Sequence, residues 1–154
     1  KMNKISVIGL DKKFKKFEEE IRGVALKILG ILNKTDVLAE IYLIDGRKMR
    51  FLNKKFLGKD KTTTVLSFEE PKNFIYPPER GQTRTGRKQS RKIKRIGEIY
   101  LNMKLTTNYK LQTTNYLLIH GLLHLFGYEH QKKNNRIKME YLENLVIRKL
   151  EINI

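Results

Sequence analysis

The sequence predicts an α+β fold in which a mixed sheet of about four strands packs against helices within a single domain. The chain has 154 residues, which suits one domain of ordinary size. Hydrophobic residues make up 40% of it, enough to form a buried core. Its segments follow the order β-α-β-α-β-β-α-α-α, which is typical of a sheet with helices packed over it. We therefore expect one domain over residues 1–154.

In the first half of the chain, predicted strands and helices alternate. The strands are indicated by β-branched residues, and the helices by apolar side chains at helical spacing. Asn33 and the turn residues after it end the first helix, and Asp45 stands where a side chain can cap the second. The pattern predicts a strand at 4–10, a helix at 12–33, a strand at 37–44, a short helix at 46–56 and a strand at 62–70.

The second half of the chain is mainly helical. Its pattern predicts a strand at 96–102, a short helix at 103–110, a longer helix at 113–127 and a terminal amphipathic helix at 133–151. For the terminal helix, apolar periodicity predicts a buried side formed by Ile137, Tyr141, Leu145 and Leu150.

Residues 71–95 differ in composition from the rest of the chain and predict a loop or insertion. They contain all three prolines, and from Glu79 to Arg95 they hold eight cations against one acid. We expect the segment to follow an RNA backbone, since arginine pairs well with phosphate. A solvated loop without a partner is the alternative. Its candidate RNA-binding residues are Arg80, Arg84, Arg87, Lys88, Arg91, Lys92 and Arg95.

Overall charge points to a polyanionic partner. The formal net charge is +17, and a field of that sign attracts RNA, DNA, acidic proteins or anionic membranes. Compositional drift is an alternative explanation for the dispersed lysines. The chain has no cysteine, so it forms no disulfide and no thiolate metal site. Because neither a signal peptide nor a membrane span is indicated, we expect a cytoplasmic protein with no membrane partner.

All three histidines fall in one short segment, YLLIHGLLHLFGYEHQ, and predict a metal site. His120 and His124 are four residues apart, which places them on one face of a helix. Gly127 can take the left-handed conformation that ends a helix, so that the chain returns His130 to the same point. Three imidazoles suit Zn²⁺ with an open fourth position, although nickel, cobalt and copper accept the same ligands. Three structural histidines are the alternative.

Such a site favours hydrolysis, because a metal with an open position activates water and polarises a phosphoryl or carbonyl oxygen. The HxxxHxxGxxH spacing is that of zinc peptidases of the metzincin type, and it predicts a zincin-like metal-binding helix. Those enzymes carry a glutamate base where this chain has Gly121, which disfavours peptide hydrolysis. Glu129 is the nearest acid. It is a candidate base or support for a histidine, or else a solvated turn residue.

The segment HGLLHLFGYEH resembles the signature of the YbeY family, metal-dependent endoribonucleases also called rRNA maturation factors. The family pattern HGxLHLxGYDH is matched with one conservative change, Glu129 in place of aspartate. Two more segments are similar to family motifs: LNKKFLGKDKTTTVLSF at 52–68, and IGEIYLN at 96–102. The order and approximate spacing of the motifs fit from about residue 37 to 150.

The resemblance implies zinc-dependent cleavage of single-stranded RNA, with one zinc ion held by His120, His124 and His130. It also implies action at the 3′ end of 16S ribosomal RNA, ribosome quality control and a cytoplasmic location. The implied partners are single-stranded RNA, 16S rRNA and the small ribosomal subunit, and a GTPase or a ribosomal protein is a further candidate. The attacking group would be water or an RNA 2′-hydroxyl.

One departure from the family pattern bears on catalysis. The family motif has an arginine where this chain has Leu57, and an arginine there would pair with phosphate. Lys55, Lys59 and Lys61 are candidate RNA-binding cations nearby, but a lysine does not reproduce the bidentate fork of arginine. Two alternatives to the nuclease stay open, and Leu57 motivates the first of them. One is an RNA- or ribosome-binding assembly factor with a structural zinc site, and the other is a peptidase-like metal hydrolase.

Overall fold

The computed structural model describes residues 2–71, 93–104 and 111–152, and it confirms the α+β fold with a four-stranded mixed sheet. A 3₁₀ helix, Lys12–Phe17, precedes the first α-helix. The strands and α-helices are β1 (Lys4–Gly9), α1 (Glu18–Ile31), β2 (Val37–Ile44), α2 (Gly46–Leu57), β3 (Val65–Glu69), β4 (Lys94–Asn102), α3 (Leu111–Leu125) and α4 (Lys133–Ile152).

The sheet has the strand order β1-β2-β4-β3, which leaves β3 at an edge. β1, β2 and β4 are parallel, with Val7 opposite Ile41 and Ile41 opposite Ile99. β3 runs antiparallel to β4. Side chains alternate between the two faces of a strand, and in β2 the odd-numbered positions from Val37 to Leu43 are all buried. The face that these residues share carries the main core.

Helices α1 and α3 cover that face of the sheet, and α4 packs against these two helices. Leu118, Ile119 and Leu122 of α3 are fully buried in the main core. A smaller cluster forms on the opposite face, where Met49 and Leu52 of α2 pack beside Ile44, Leu66 and neighbouring tyrosines. The sheet therefore holds α3 against one face and α2 against the other. Both helices contribute residues to the candidate site.

The predicted first helix, 12–33, begins differently in the structure. Residues 12–17 form a 3₁₀ helix, capped by a hydrogen bond from the Lys13 N–H to the Asp11 carboxylate. This tighter turn carries Phe14 into the core before α1 begins at Glu18. The predicted stop is confirmed, because Asn33 has a φ of 56° and the α-helix ends two residues before it.

The prediction for the buried side of the terminal helix was wrong, because a different face of this helix lies against the core. Ile137 and Tyr141 are 53% and 62% exposed, and Leu145 is half-buried. Of the four predicted residues, only Leu150 is fully buried. The residues that face the core are Met139, Glu143, Val146 and Leu150. A glutamate in the buried stripe concealed its apolar periodicity.

Two predicted segments lie wholly or partly outside the described residues. Of the basic segment 71–95, positions 72–92 are not described, and β4 begins at Lys94 rather than at 96. Of the predicted short helix 103–110, only residues 103 and 104 are described, and they are helical. Among the described helices, none combines the length and the apolar character that crossing a membrane requires.

Candidate metal centre

Three imidazole rings converge at the carboxyl end of α3. His120 and His124 lie one turn apart on this helix, and His130 lies in the segment that follows it. The Nε2 atom of His120 is 3.0 Å from Nε2 of His124 and 3.1 Å from Nε2 of His130. One nitrogen from each ring can be chosen so that all three lie within 4.8 Å of one another. The spacing argument from the sequence predicted this convergence.

Gly127 makes the turn that returns the chain to the helix. Its φ is +94°, a conformation that side chains strongly disfavour. The Gly127 N–H donates to the His124 carbonyl at 2.9 Å, and the Tyr128 N–H donates to the Leu123 carbonyl at 3.1 Å. These bonds close the helix end. His130 follows three residues after the glycine and so comes beside the first two histidines.

The protonation of the rings suits a metal ion. His124 Nδ1 lies 2.8 Å from the Tyr128 carbonyl oxygen, which can only accept a hydrogen bond. The proton is therefore on Nδ1, and Nε2 presents a lone pair to the other rings. Burial lowers the pKa of both His120 and His124, and for His120 the neighbouring His124 lowers it further. Neutral imidazole is the form that binds metals.

The distances between the histidine nitrogens also fit a zinc ion. At a zinc–nitrogen distance of about 2.0–2.1 Å, two nitrogens of a tetrahedral site lie about 3.3–3.4 Å apart. The Nε2 separations of 3.0 Å and 3.1 Å are close to that edge length. Converging lone pairs repel one another unless a cation or a proton lies between them. The three histidines could therefore hold a metal ion.

A cavity of about 300 Å³ opens beside the histidines. Leu57, the last residue of α2, lies in its wall, as does Glu129. Among the described residues in the wall there is no lysine or arginine. The position where the resemblance leads one to expect an arginine therefore faces the candidate site. The full described lining is Leu57, Val65, Leu66, Ser67, Glu69, His120, His124 and Glu129.

Gly121 does not face this cavity. A Cβ atom built there would lie 3.1 Å from Ser67 Oγ and 3.2 Å from Ile99 Cδ1, so the residue is pressed against the sheet. The Ser67 hydroxyl donates to the Gly121 carbonyl at 3.3 Å. A side chain at this position would have to push aside the Ser67 or Ile99 side chain. The packing therefore disfavours the peptidase base here.

Sequence reasoning missed three residues of the site. Glu69 lines the cavity, opposite the helix that carries the histidines. Glu143 of α4 is 4% exposed, and its Oε2 lies 3.6 Å from His120 Nδ1. Tyr116, one turn before His120, interacts with the Glu143 carboxylate, which raises the pKa of the tyrosine. A charged residue in phase with buried Met139, Val146 and Leu150 is the signal that could have revealed Glu143.

Four of the predicted RNA-binding residues are described by the structure, and they are dispersed. Lys55 places its Nζ 5.8 Å and 5.5 Å from the ring centres of Phe51 and Phe56, and Lys59 is exposed after α2. Arg95 lies in β4, not in a loop, and it bonds with Glu40, Glu70 and Glu98. Six others lie outside the described residues: Arg80, Arg84, Arg87, Lys88, Arg91 and Lys92.

Lys61 lines a second and larger cavity, of about 990 Å³, which we call the basic groove. The groove lies at the carboxyl ends of the parallel strands, beside Asn102 of β4 and the first turn of α2. Ligands of open α/β sheets commonly bind at this edge. Its charged residues are five cations and two acids: Lys13, Arg47, Arg50, Lys61, Lys104, Asp45 and Asp60.

A mixed sheet that holds three convergent imidazoles on one helix and its turn defines a candidate metalloprotein. Comparison with known proteins narrows this class. The chain belongs to the Endoribonuclease YbeY family, whose family model matches residues 3–151. This confirms the resemblance found in the sequence, and with it the prediction of an enzyme of the endoribonuclease class.

Individual relatives agree with the family. An Endoribonuclease YbeY from Chelativorans sp. is 34% identical over 147 residues, covering 88% of this chain and 82% of the relative. One from Aquifex aeolicus is 30% identical over 155 residues, covering 97% of this chain and 95% of the relative. The solution structure of TM1509 from Thermotoga maritima has a TM-score of 0.51 at 24% identity, covering 97% and 93% of the two chains. That structure supports the fold.

Proposed function

We propose that this protein is a zinc-dependent, single-strand-specific endoribonuclease that acts in maturation of the 16S rRNA 3′ end and in ribosome quality control. Family membership supports RNA cleavage, and the resemblance described above supports the ribosomal substrate. The observation that carries the proposal is the convergence of three Nε2 atoms beside an open cavity. His120, His124 and His130 are the proposed ligands.

Zinc is the proposed ion because the donor set is three imidazoles, a common ligand set of catalytic zinc. When bound, it would activate a nucleophile and offset the negative charge that develops on the phosphodiester. The protein's own part is to hold the three rings in position. For His124, burial lowers the pKa and the Tyr128 carbonyl orients the ring.

Two carboxylates are the proposed acceptors of the proton of the attacking hydroxyl. Glu129 and Glu69 both line the cavity that contains the histidines. A general base must lie within hydrogen-bond reach of the proton that it removes. The attacking hydroxyl belongs to water or to the RNA 2′ position. A 2′,3′-cyclic phosphate among the products would identify the 2′-hydroxyl.

The basic groove is the proposed path of the RNA backbone away from the cleavage site. The loop after α2 connects the two cavities, since Leu57 lines one and Lys61 the other. Lysine and arginine bind phosphates without reading the base sequence. Lys55 and Lys59 are further proposed phosphate contacts, whereas Arg95 is engaged with three acids and has no part in this path. The small ribosomal subunit is the proposed assembly partner.

One observation favours a second function, that of an RNA- or ribosome-binding assembly factor with a structural zinc site. Leu57 and the other described residues in the cavity wall offer no cation to a phosphate in the transition state. An assembly factor would bind zinc and RNA without cutting the RNA. A peptidase-like hydrolase is less supported, because Gly121 lies against the sheet.

The direct test replaces His124 with alanine. For the wild type purified without chelator or nickel column, we expect one zinc ion per chain by mass spectrometry and cleavage of a short unstructured RNA. His124→Ala should lose the metal, and cleavage should fall by at least about 100-fold, because one of three ligands is gone. The matched control is Gln131→Ala, an exposed change beside His130.

The outcomes separate the candidates. Cleavage that persists in His124→Ala comes from another site or a contaminant and contradicts the proposal. A wild-type protein that binds zinc and RNA but leaves the RNA intact supports the assembly factor instead.

A further inference from the structure

Glu143 is a buried carboxylate in the middle of an apolar stripe. It is 4% exposed and follows Met139 by four residues on α4, with Val146 three residues further on. Removing an ionised carboxylate from water is costly unless nearby groups compensate it. The protein therefore retains this acid against a considerable desolvation cost. The groups beside it indicate what it does.

Two side chains of α3 reach Glu143. Tyr116 and His120 are four residues apart, so they share one face of that helix. The tyrosine also interacts with the Glu143 carboxylate, and burial, followed by this interaction, raises the pKa of Tyr116 to about 12. His120 Nδ1 lies 3.6 Å from Glu143 Oε2. That nitrogen is buried and has no hydrogen-bond partner among the described residues.

The proton of His120 decides which of its nitrogens can bind a metal. A neutral imidazole carries one proton, and Nε2 of this ring faces Nε2 of His124 and His130. A proton on Nδ1, beside the carboxylate, leaves a lone pair on Nε2 at the point of convergence. A proton on Nε2 would abolish that lone pair. For His124, the backbone carbonyl of Tyr128 fixes the proton on Nδ1, and no side-chain substitution can remove that carbonyl.

We infer that Glu143 is the positioning residue for His120: its carboxylate holds the ring with the proton on Nδ1 and Nε2 toward the metal, and Tyr116 holds the carboxylate. The inference rests on the proposed function, because it assumes that the three histidines bind zinc. Partners of this kind orient metal-binding histidines, and their loss commonly weakens metal affinity by about 10- to 100-fold.

The test measures zinc affinity by competition with a chromophoric chelator, using the full chain. We expect Glu143→Gln to weaken affinity about tenfold, since the amide oxygen still accepts a hydrogen bond but lacks the charge. Glu143→Ala should weaken it by about 100-fold, and Tyr116→Phe by less than either. Glu140→Gln, an exposed change one turn earlier on α4, should leave affinity unchanged.

A second control separates positioning from stability. Val146→Ala removes a fully buried side chain from the same stripe, so it destabilises the fold while the Glu143 carboxylate is kept. If it weakens zinc binding as much as Glu143→Ala does, the effect is structural and the inference is overturned. Nitrogen-15 NMR of the zinc-free protein gives an independent readout. His120 should carry its proton on Nδ1 in the wild type and lose that preference in Glu143→Ala.

The proposed function and this inference fail in different ways. A wild-type chain that binds no zinc refutes the proposed function. A wild-type chain that binds zinc, together with Glu143→Ala of equal affinity and an unchanged His120 tautomer, refutes the inference alone.

Discussion

Leu57 is the residue whose chemistry most affects the proposed reaction. It ends α2, is 51% exposed and forms part of the cavity wall beside His120 and His124. Its side chain can pack against a ribose or a base, but it offers nothing to a phosphate. Glu69 and Glu129 in the same wall make the local charge unfavourable for RNA. A cation at position 57 would bind a phosphate and would also offset the negative charge of the cavity wall.

We therefore predict that Leu57→Arg raises activity. The guanidinium can reach a phosphate bound beside the histidines, and removal of a comparable donor from an enzyme costs about 100- to 1000-fold. Because the remaining wall is not adapted to it, we expect a gain in kcat/KM of roughly tenfold on a short single-stranded RNA. Phe51→Arg adds the same charge to an exposed position of α2 outside the cavity and serves as control. Equal gains in both variants would mean that net charge, not position, is responsible.

At this scale the sequence predicts what is local. His120 and His124 share a helical face because of their spacing, and Gly127 permits the turn that returns His130. Glu143 and Glu69 enter the site from separate elements. Their presence depends on how α4 and β3 pack against α3, which the spacing of residues along one segment does not reveal.

At the scale of elements, the second face of the sheet contains a polar cluster. Arg95 of β4 bonds with Glu40 of β2, with Glu98 and with Glu70. Tyr42 donates to Glu40 and stacks on Tyr100 at a centroid distance of 5.0 Å. Because composition placed Arg95 in the basic segment, sequence reasoning assigned it to RNA. In the structure it joins strands that are adjacent only after folding.

This cluster predicts a pH-dependent stability. Burial raises the pKa of Glu40, but hydrogen bonds from Tyr42 and Arg95 and the charge of Arg95 lower it, and the net shift is downward. A carboxyl whose pKa is lower in the folded state stabilises the fold above its unfolded value, about 4.3. That stabilisation is lost as the pH falls through the lowered folded pKa.

Glu40→Gln should therefore reduce the free energy of unfolding by about 1.5–3 kcal/mol at pH 7, and by less as the pH approaches 3. Urea denaturation at a series of pH values measures both. Glu19→Gln is the control, since Glu19 pairs with Arg22 on the exposed surface of α1 and such pairs contribute below about 1 kcal/mol. A penalty for Glu40→Gln that stays constant from pH 7 to pH 3 would show that charge is not its source.

At the scale of the whole molecule, the ion pairs are unevenly distributed over a chain whose net charge is +17. Glu40, Glu70 and Glu98 are engaged with Arg95, and Asp60 lies between Arg50 and Lys54. Because several acids pair with the same few cations, fewer acids are left to pair with the other cations. Total charge is visible in the sequence, but the basic groove is not. Its cations come from separate elements that the parallel strands bring together.

The basic groove predicts how RNA affinity depends on salt. Arg47 and Lys61 line the groove, and neither forms an ion pair with another described residue. Each phosphate contact on a single strand contributes about 0.7 to the slope of log affinity against log salt concentration. Replacing both residues with alanine should therefore weaken binding of a noncleaved RNA at low salt and reduce the slope by about 1.4.

Lys27→Ala with Lys149→Ala makes the same change in charge at exposed positions outside the groove. If this pair lowers the slope equally, RNA senses only the total charge of the protein, and the groove is not its path.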